Sequence, residues 1–116
     1  MKMTIKEENT NYGKIWKYES DDKTFSFAIY KYSDDDETYY LANVLVNEQN
    51  RGTGLGNVIL NMAENIARDA GVKILCLKAK TSSFTHNWYK RHGYVDLRID
   101  ENAPLYTWMN KKLPIK

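Results

Sequence analysis

Apolar and polar positions alternate most regularly between Thr24 and Tyr32, where Phe25, Phe27 and Ile29 interleave with Ser26, Ala28 and Tyr30. A period of two places the first set on one face of a half-buried strand. Upstream the pattern is weaker. Ile5 starts a first segment, Asn11-Tyr12-Gly13 reads as a turn, and Lys14 to Tyr18 is a short strand closed by Ser20-Asp21-Asp22. Asp34-Asp35-Asp36-Glu37 forms an acidic loop. Tyr39 to Val46 is then nearly continuously apolar, the pattern of a strand covered on both faces in the middle of a sheet.

The period changes at Leu55. Leu55, Val58, Ile59, Met62, Ile66 and Ala70 recur at helical spacing, Asn57, Asn61, Glu64 and Arg68 fall toward solvent, and Gly71 ends the helix. Val72 to Ala79 is the next strand, and a strand–helix–strand crossover of this length implies parallel pairing. Thr81 to His92 gives a second helix with Phe84, Trp88 and Tyr89 on one face. Tyr94 to Ile99 and the stretch around Leu105, Tyr106, Trp108 and Met109 read as a hairpin across Asp100 to Pro104, followed by a basic tail, Lys111 to Lys116. No amphipathic helix fits before Leu55. The expectation is an α/β fold: a mixed, mostly antiparallel twisted sheet of about six to seven strands with one parallel pair and two main helices.

At 116 residues the chain makes one domain, 1–116, large enough for a single core. Cys76 is the only cysteine, which rules out an intrachain disulfide, and its apolar surroundings make it a packed core thiol. The apolar runs are far below spanning length and no signal peptide is visible, so a cytoplasmic protein without a membrane partner is the default. The net charge is +2, but residues 1–50 hold six Lys against ten Asp and Glu, whereas residues 51–116 hold eleven Lys and Arg against five. His86 and His92 are six apart without nearby ligands, a poor metal pair; they read as surface or capping residues and no metal site is expected.

The basic half contains Arg51-Gly52-Thr53-Gly54-Leu55-Gly56, between an apolar strand and a helix. Glycines let the backbone approach a ligand closely, and the helix start offers free N–H groups at the positive end of its dipole. The first turn carries no acid, the earliest carboxylate being Glu64, so the bare end suits an anion from outside, a phosphate or pyrophosphate. A dinucleotide fingerprint would need its third glycine at Asn57, and a P-loop would need Gly-Lys-Ser/Thr; neither is present.

The loop matches R-x-x-G-x-G, and with Leu45-Val46 before it and an amphipathic helix after it the chain resembles the GNAT N-acetyltransferase family from about Tyr39 to Val95. A second stretch, Trp88-Tyr89-Lys90-Arg91-His92-Gly93-Tyr94, resembles the family's apolar–Tyr–x–x–x–Gly–aromatic motif. The resemblance implies acetyl-coenzyme A as acyl donor, with its pyrophosphate on Arg51, Gly52, Thr53, Gly54, Leu55 and Gly56. It implies a β-bulge that splays the central strand, where Leu45 and Val46 hold the pantetheine arm as an added strand. Tyr89 becomes the general acid that protonates the departing thiolate, a role suited to a phenol that is neutral at pH 7. Ser82 stands where many members have an Asn touching the pantetheine, with Ser83 beside it, both able to hydrogen-bond but with shorter reach. Thr85 replaces a usual Ala.

The reaction implied is direct transfer of an acetyl group to a primary amine in a ternary complex, without an acyl-enzyme. A lysine-like amine is mostly charged at pH 7 and needs a base. Glu37 and Glu48 are the carboxylates nearest the central strand, and Glu37 is close to where histone-acetyltransferase relatives place a glutamate, off by one residue. A water-mediated base is the alternative. The family's one or two helices between the first strands are missing, which suggests an open acceptor site suited to a protein or peptide amine, with a small-molecule amine also compatible. Two rivals make different predictions. A non-catalytic acyl-coenzyme A-binding or protein-interaction module on the same scaffold would bind without turnover. A nucleic-acid module would bind with steep salt dependence, but it leaves the glycine loop unexplained, so no nucleic-acid partner is expected. The pattern does not choose between monomer and homodimer.

Overall fold

The alternating segments pair into one seven-stranded sheet, and the two helical segments lie together on one of its faces. A computed structural model describes residues 2–114. The strands are β1 (Met3–Thr10), β2 (Gly13–Ser20), β3 (Phe25–Tyr32), β4 (Thr38–Val46), β5 (Ile74–Lys80), β6 (Val95–Ile99) and β7 (Tyr106–Lys112). The helices are α1 (Leu55–Asp69) and α2 (Phe84–Arg91), with a single 3-10 turn at Glu48–Asn50. Strand order is β1-β2-β3-β4-β5-β7-β6, and only β4 and β5 run parallel. Of the basic tail, Ile115 and Lys116 lie outside the described residues. No helix among the described residues is long and apolar enough to cross a membrane.

The turn expected at Asn11 to Gly13 is a two-residue hairpin connection, Thr10 pairing with Gly13. A Cβ at Gly13 would sit 1.9 Å from the Lys31 carbonyl oxygen of β3, so only glycine fits there. The alternation in β3 is realised on one face, where Phe25, Phe27 and Ile29 are buried toward the helices with Tyr18 stacked on Phe27 at 4.8 Å, but Ala28 of the other set is buried as well. They join Leu41, Leu75, Leu77, Tyr94 and Met109 in one core beneath α1 and α2.

Three sequence expectations are corrected. The buried stripe of α1 runs through Ile59, Leu60, Ala63 and Ala67, while Val58 is 38% exposed, because contacts with β3, β4 and β5 fix the rotation of the helix. Glu64 does not face solvent: it accepts hydrogen bonds from the Tyr94 hydroxyl (2.9 Å) and Lys111 Nζ (3.1 Å). β4 is not covered along its length. Tyr39 and Leu41 are buried, but Asn43, Val44 and Leu45 are exposed.

That uncovered end is the feature that positions the site. β4 pairs with β5 only over Thr38–Tyr40 against Ile74–Cys76, and the two strands then separate. On its other side β4 carries an extra residue against β3, since Leu45 pairs with Ser26 and Ala42 with Ala28. Asn43 sits in this bulge with φ 55°, a left-handed conformation that Asn tolerates better than most residues. The bulge turns the strand end away from β5 and opens a cleft.

Candidate active site

The cleft has a volume of about 570 Å³ and is lined from three directions. Val44, Leu45 and Val46 of the splayed strand form one side. Asn50, Arg51, Gly52, Gly54, Leu55, Gly56 and Asn57 form the second, and Phe84, Thr85, Trp88 and Tyr89 of α2 form the third. The two helices approach closely here: a Cβ on Gly56 would be in ordinary van der Waals contact with the Trp88 ring, at 3.6 Å.

The loop end of the cleft is a row of free donors. Gly54 caps α1 in the left-handed region (φ 86°) and no side chain caps it, nor does any acid stand in the first turn. Among the described residues, the first turn's bonding begins with the Val58 N–H on the Gly54 carbonyl, so the N–H groups of Gly52 to Asn57 donate to no protein group. Six unpaired amides at the positive end of a fifteen-residue helix, with Arg51 beside them, favour an anion. Thr53 faces away from the lining, its hydroxyl donating to the Asn50 carbonyl.

Tyr89 closes the α2 side. It packs on Trp88 (5.3 Å between centroids) and Tyr94 (5.7 Å), and burial pushes its phenol above the usual 10. No described residue hydrogen-bonds its hydroxyl, and no buried polar side-chain atom of the described chain lacks a partner, so the hydroxyl is open to the cleft. A neutral O–H with a free donor is what protonation of a leaving group needs.

The structure therefore brings Leu45, Val46, Arg51, Gly52, Gly54, Leu55, Gly56 and Tyr89 to one cleft. It does not bring Ser82, Ser83 or Glu37 there. Ser83 is the N-cap of α2, its hydroxyl accepting the His86 N–H, and Ser82 donates its N–H to His86 Nδ1 (2.9 Å). Glu37 stands at the opposite end of β4, its carboxylate 3.3 Å from Lys73 Nζ. Nine residues of strand separate the two ends by roughly 25 Å.

One of the two histidines differs from expectation, and the other caps a helix as expected. His86 is buried, not a surface residue: Nδ1 accepts from Ser82, and Nε2–H donates to Asp96 Oδ1 at 2.7 Å, which holds that carboxyl below the usual range. His92 caps α2 and reaches α1 through Asn57. The described residues contain no cluster of three or more metal-ligating side chains. Sequence reasoning missed Val44, Asn50, Asn57, Phe84, Thr85 and Trp88 as lining residues. Phe84, Thr85 and Trp88 share one stripe of α2 with Tyr89 (i, i+1, i+4, i+5), a spacing that identifies them once Tyr89 is placed.

Comparison with known proteins agrees with this fold. The acetyltransferase (GNAT) domain family matches residues 11–96. No curated protein sequence matches the chain. Among solved structures, a proposed acyl-CoA N-acyltransferase from Klebsiella pneumoniae aligns with a TM-score of 0.70 at 18% identity, covering 97% of this chain and 98% of its own. A GNAT family acetyltransferase from Elizabethkingia anophelis with acetyl-CoA bound gives 0.69 at 14%, covering 96% and 98%. N-acetylglutamate synthase from Neisseria gonorrhoeae, complexed with coenzyme A and N-acetyl-glutamate, gives 0.69 at 19%, covering 86% of this chain and 26% of that one. At these identities the structural likeness establishes the fold, a mixed sheet with one parallel pair and two helices. The family match extends over most of the chain: the protein belongs to the GNAT acetyltransferase family and is an acyltransferase.

Proposed function

We propose that the protein transfers the acetyl group of acetyl-coenzyme A to a primary amine by direct attack. The carrying observation is the cleft itself: unpaired amides and Arg51 at one end, a free phenol on its α2 wall, and a splayed strand along one side. The N–H groups of Gly52 to Gly56 and the Arg51 guanidinium take the pyrophosphate. The backbone of Leu45 and Val46, released from β5, pairs with the pantetheine amides as an added strand. The amine nitrogen bonds to the thioester carbonyl carbon, the carbon–sulfur bond breaks, and the Tyr89 O–H gives its proton to the sulfur. The proton lost by the amine leaves through water and restores the phenol.

Glu37, 3.3 Å from Lys73 at the far end of β4, takes no part in this reading, and neither Ser82 nor Ser83 lines the cleft. β1 and β2 are joined by a two-residue turn, so no helix walls the acceptor side there, which fits an amine carried on a protein or peptide.

Calorimetric titration with acetyl-coenzyme A, followed by acetylation of a panel of lysine peptides and small amines, tests the proposal. Micromolar binding with turnover is expected. No detectable binding by folded protein would overturn it, and binding without turnover on any amine would favour a non-catalytic acyl-coenzyme A-binding module.

A further inference from the structure

Asn57 lines the cleft on the first turn of α1, and its carboxamide is held from behind by His92. His92 Nδ1 lies 2.8 Å from the Trp88 carbonyl oxygen, and its Nε2 lies 2.9 Å from Asn57 Oδ1. A carbonyl only accepts, so Nδ1 carries a proton. Nε2 then has two states. Protonated, it donates to the Asn57 oxygen and leaves the Asn57 NH2 to the cleft. Bare, it accepts from the Asn57 NH2 after rotation of the amide, and an oxygen faces the cleft instead.

Resting on the phosphate-site reading above, we propose that Asn57 is an anion-binding residue and that His92 is its positioning residue, which takes up a proton when a pyrophosphate binds. The bound anion accepts from the Asn57 NH2 beside the free amides of Gly52 to Asn57, and so selects the state in which His92 is doubly protonated.

The surrounding charges make the ligand matter. Lys90 and Arg91 precede His92 on α2, and Arg51 stands on the loop. From α1 and β7 come Glu64 and Lys111, which are paired to each other at 3.1 Å. Lys90 pairs with Asp96 at 3.6 Å and Arg91 lies over the Phe84 ring. A pyrophosphate adds negative charge on the Asn57 side.

The test is calorimetry with dephospho-coenzyme A, whose diphosphate does not titrate near neutrality. Titrations are run in buffers of different ionisation enthalpy from about pH 5.5 to 8, the range in which imidazole changes charge. The native protein is expected to take up protons on binding and to bind roughly tenfold tighter at the acidic end, the scale of one hydrogen bond to a charged group. In Asn57→Ala and His92→Gln both the uptake and the pH dependence disappear while binding persists. Binding without proton uptake in the native protein, or uptake retained in both variants, overturns the inference and leaves the proposed function standing. Absence of any binding by the native protein overturns both.

Discussion

Gly54 and Gly71 stand at opposite ends of α1 in nearly the same conformation, φ 86° and 80°, and a Cβ added to either would meet nothing within 4 Å. The pair separates the energetic cost of the backbone from the function of the loop. Placing Ala in the left-handed region costs about 1–2 kcal/mol, offset by about 0.4–1 kcal/mol through the stiffer unfolded chain. Gly54→Ala and Gly71→Ala should therefore each lose about 1 kcal/mol, a fall of roughly 4 °C in Tm for a chain of this size. Only Gly54 adjoins the unpaired amides. If its φ relaxes, the N–H groups of Gly54 and Leu55 turn, and each weakened bond to a charged phosphate is worth about 1.5–3 kcal/mol. Coenzyme A affinity should fall at least about tenfold in Gly54→Ala. Gly54→Glu adds a carboxylate some 5 Å from the anion, about 1–3 kcal/mol of repulsion per charge at an effective dielectric of 20–80. Thermal melts and calorimetric titration of the three variants read both quantities. Equal affinity losses at the two glycines, or a folded Gly54→Glu that binds like the native protein, would refute the assignment of the loop.

Other sites give independent checks. Tyr89→Phe should lower kcat about 10²–10⁴-fold, as loss of a general acid does, with KM for acetyl-coenzyme A and Tm nearly unchanged because no described residue bonds the hydroxyl. Burial raises the Tyr89 phenol above its usual 10, so the acid is retained and no loss of activity attributable to it should appear below about pH 10 in steady-state profiles. Burial also pushes the Cys76 thiol up to about 12, so native protein at pH 8 should resist iodoacetamide while unfolded protein reacts, as mass spectrometry would show. Glu64→Leu strips the acceptor from the Tyr94 hydroxyl and Lys111, and should cost about 2–4 kcal/mol in urea unfolding. Tyr94→Phe should cost about 1 kcal/mol, with the double variant losing less than the sum.

The parts of the site that were legible in the sequence are those dictated locally. Alternating glycines after an apolar strand specify a backbone that few other residues permit, and the missing acid in the first turn of α1 is written in Leu55 to Val58. Tyr89, singled out by the resemblance of Trp88 to Tyr94 to a family motif, stands in the cleft wall. What could not be read depends on partners distant in the chain. Glu64 looks solvent-facing until Tyr94 and Lys111, 30 and 47 positions away, arrive beside it. His86 looks exposed until Asp96 of β6 closes on it. An apolar run such as Tyr39 to Val46 cannot reveal where its neighbour leaves, so the end that lines the cleft reads like the end that is buried. Glu37 illustrates the same limit, since nearness to a strand in sequence does not say which end of it carries the site. Cys76 is half-buried on the sheet face away from the helices, not in the core its neighbours suggest.

That second face explains how a short chain holds the splayed pair open. A parallel strand pair ordinarily sits in a sheet covered on both faces, yet among the described residues both helices lie on one. The other face carries Tyr30, Tyr40 and Trp108, side chains of opposite parity to the buried Ile29, Leu41 and Met109. Tyr40 packs against Tyr30 (5.5 Å) and edge-on to Trp108 (5.0 Å), and Lys78 lies over Trp108 while pairing with Asp100 at 2.9 Å. Desolvation in this cluster raises the Tyr40 phenol to about 12, so the face is partly dry without a covering helix. Aromatic pairs of this kind contribute about 0.5–1.5 kcal/mol each beyond area burial. Tyr40 is also the last β4 residue paired with β5. The cross-strand rings therefore clamp β4 to its neighbours at the point where the strands part. The bulge at Asn43 can open the remaining strand to a ligand because the closure behind it does not depend on further β4–β5 hydrogen bonds.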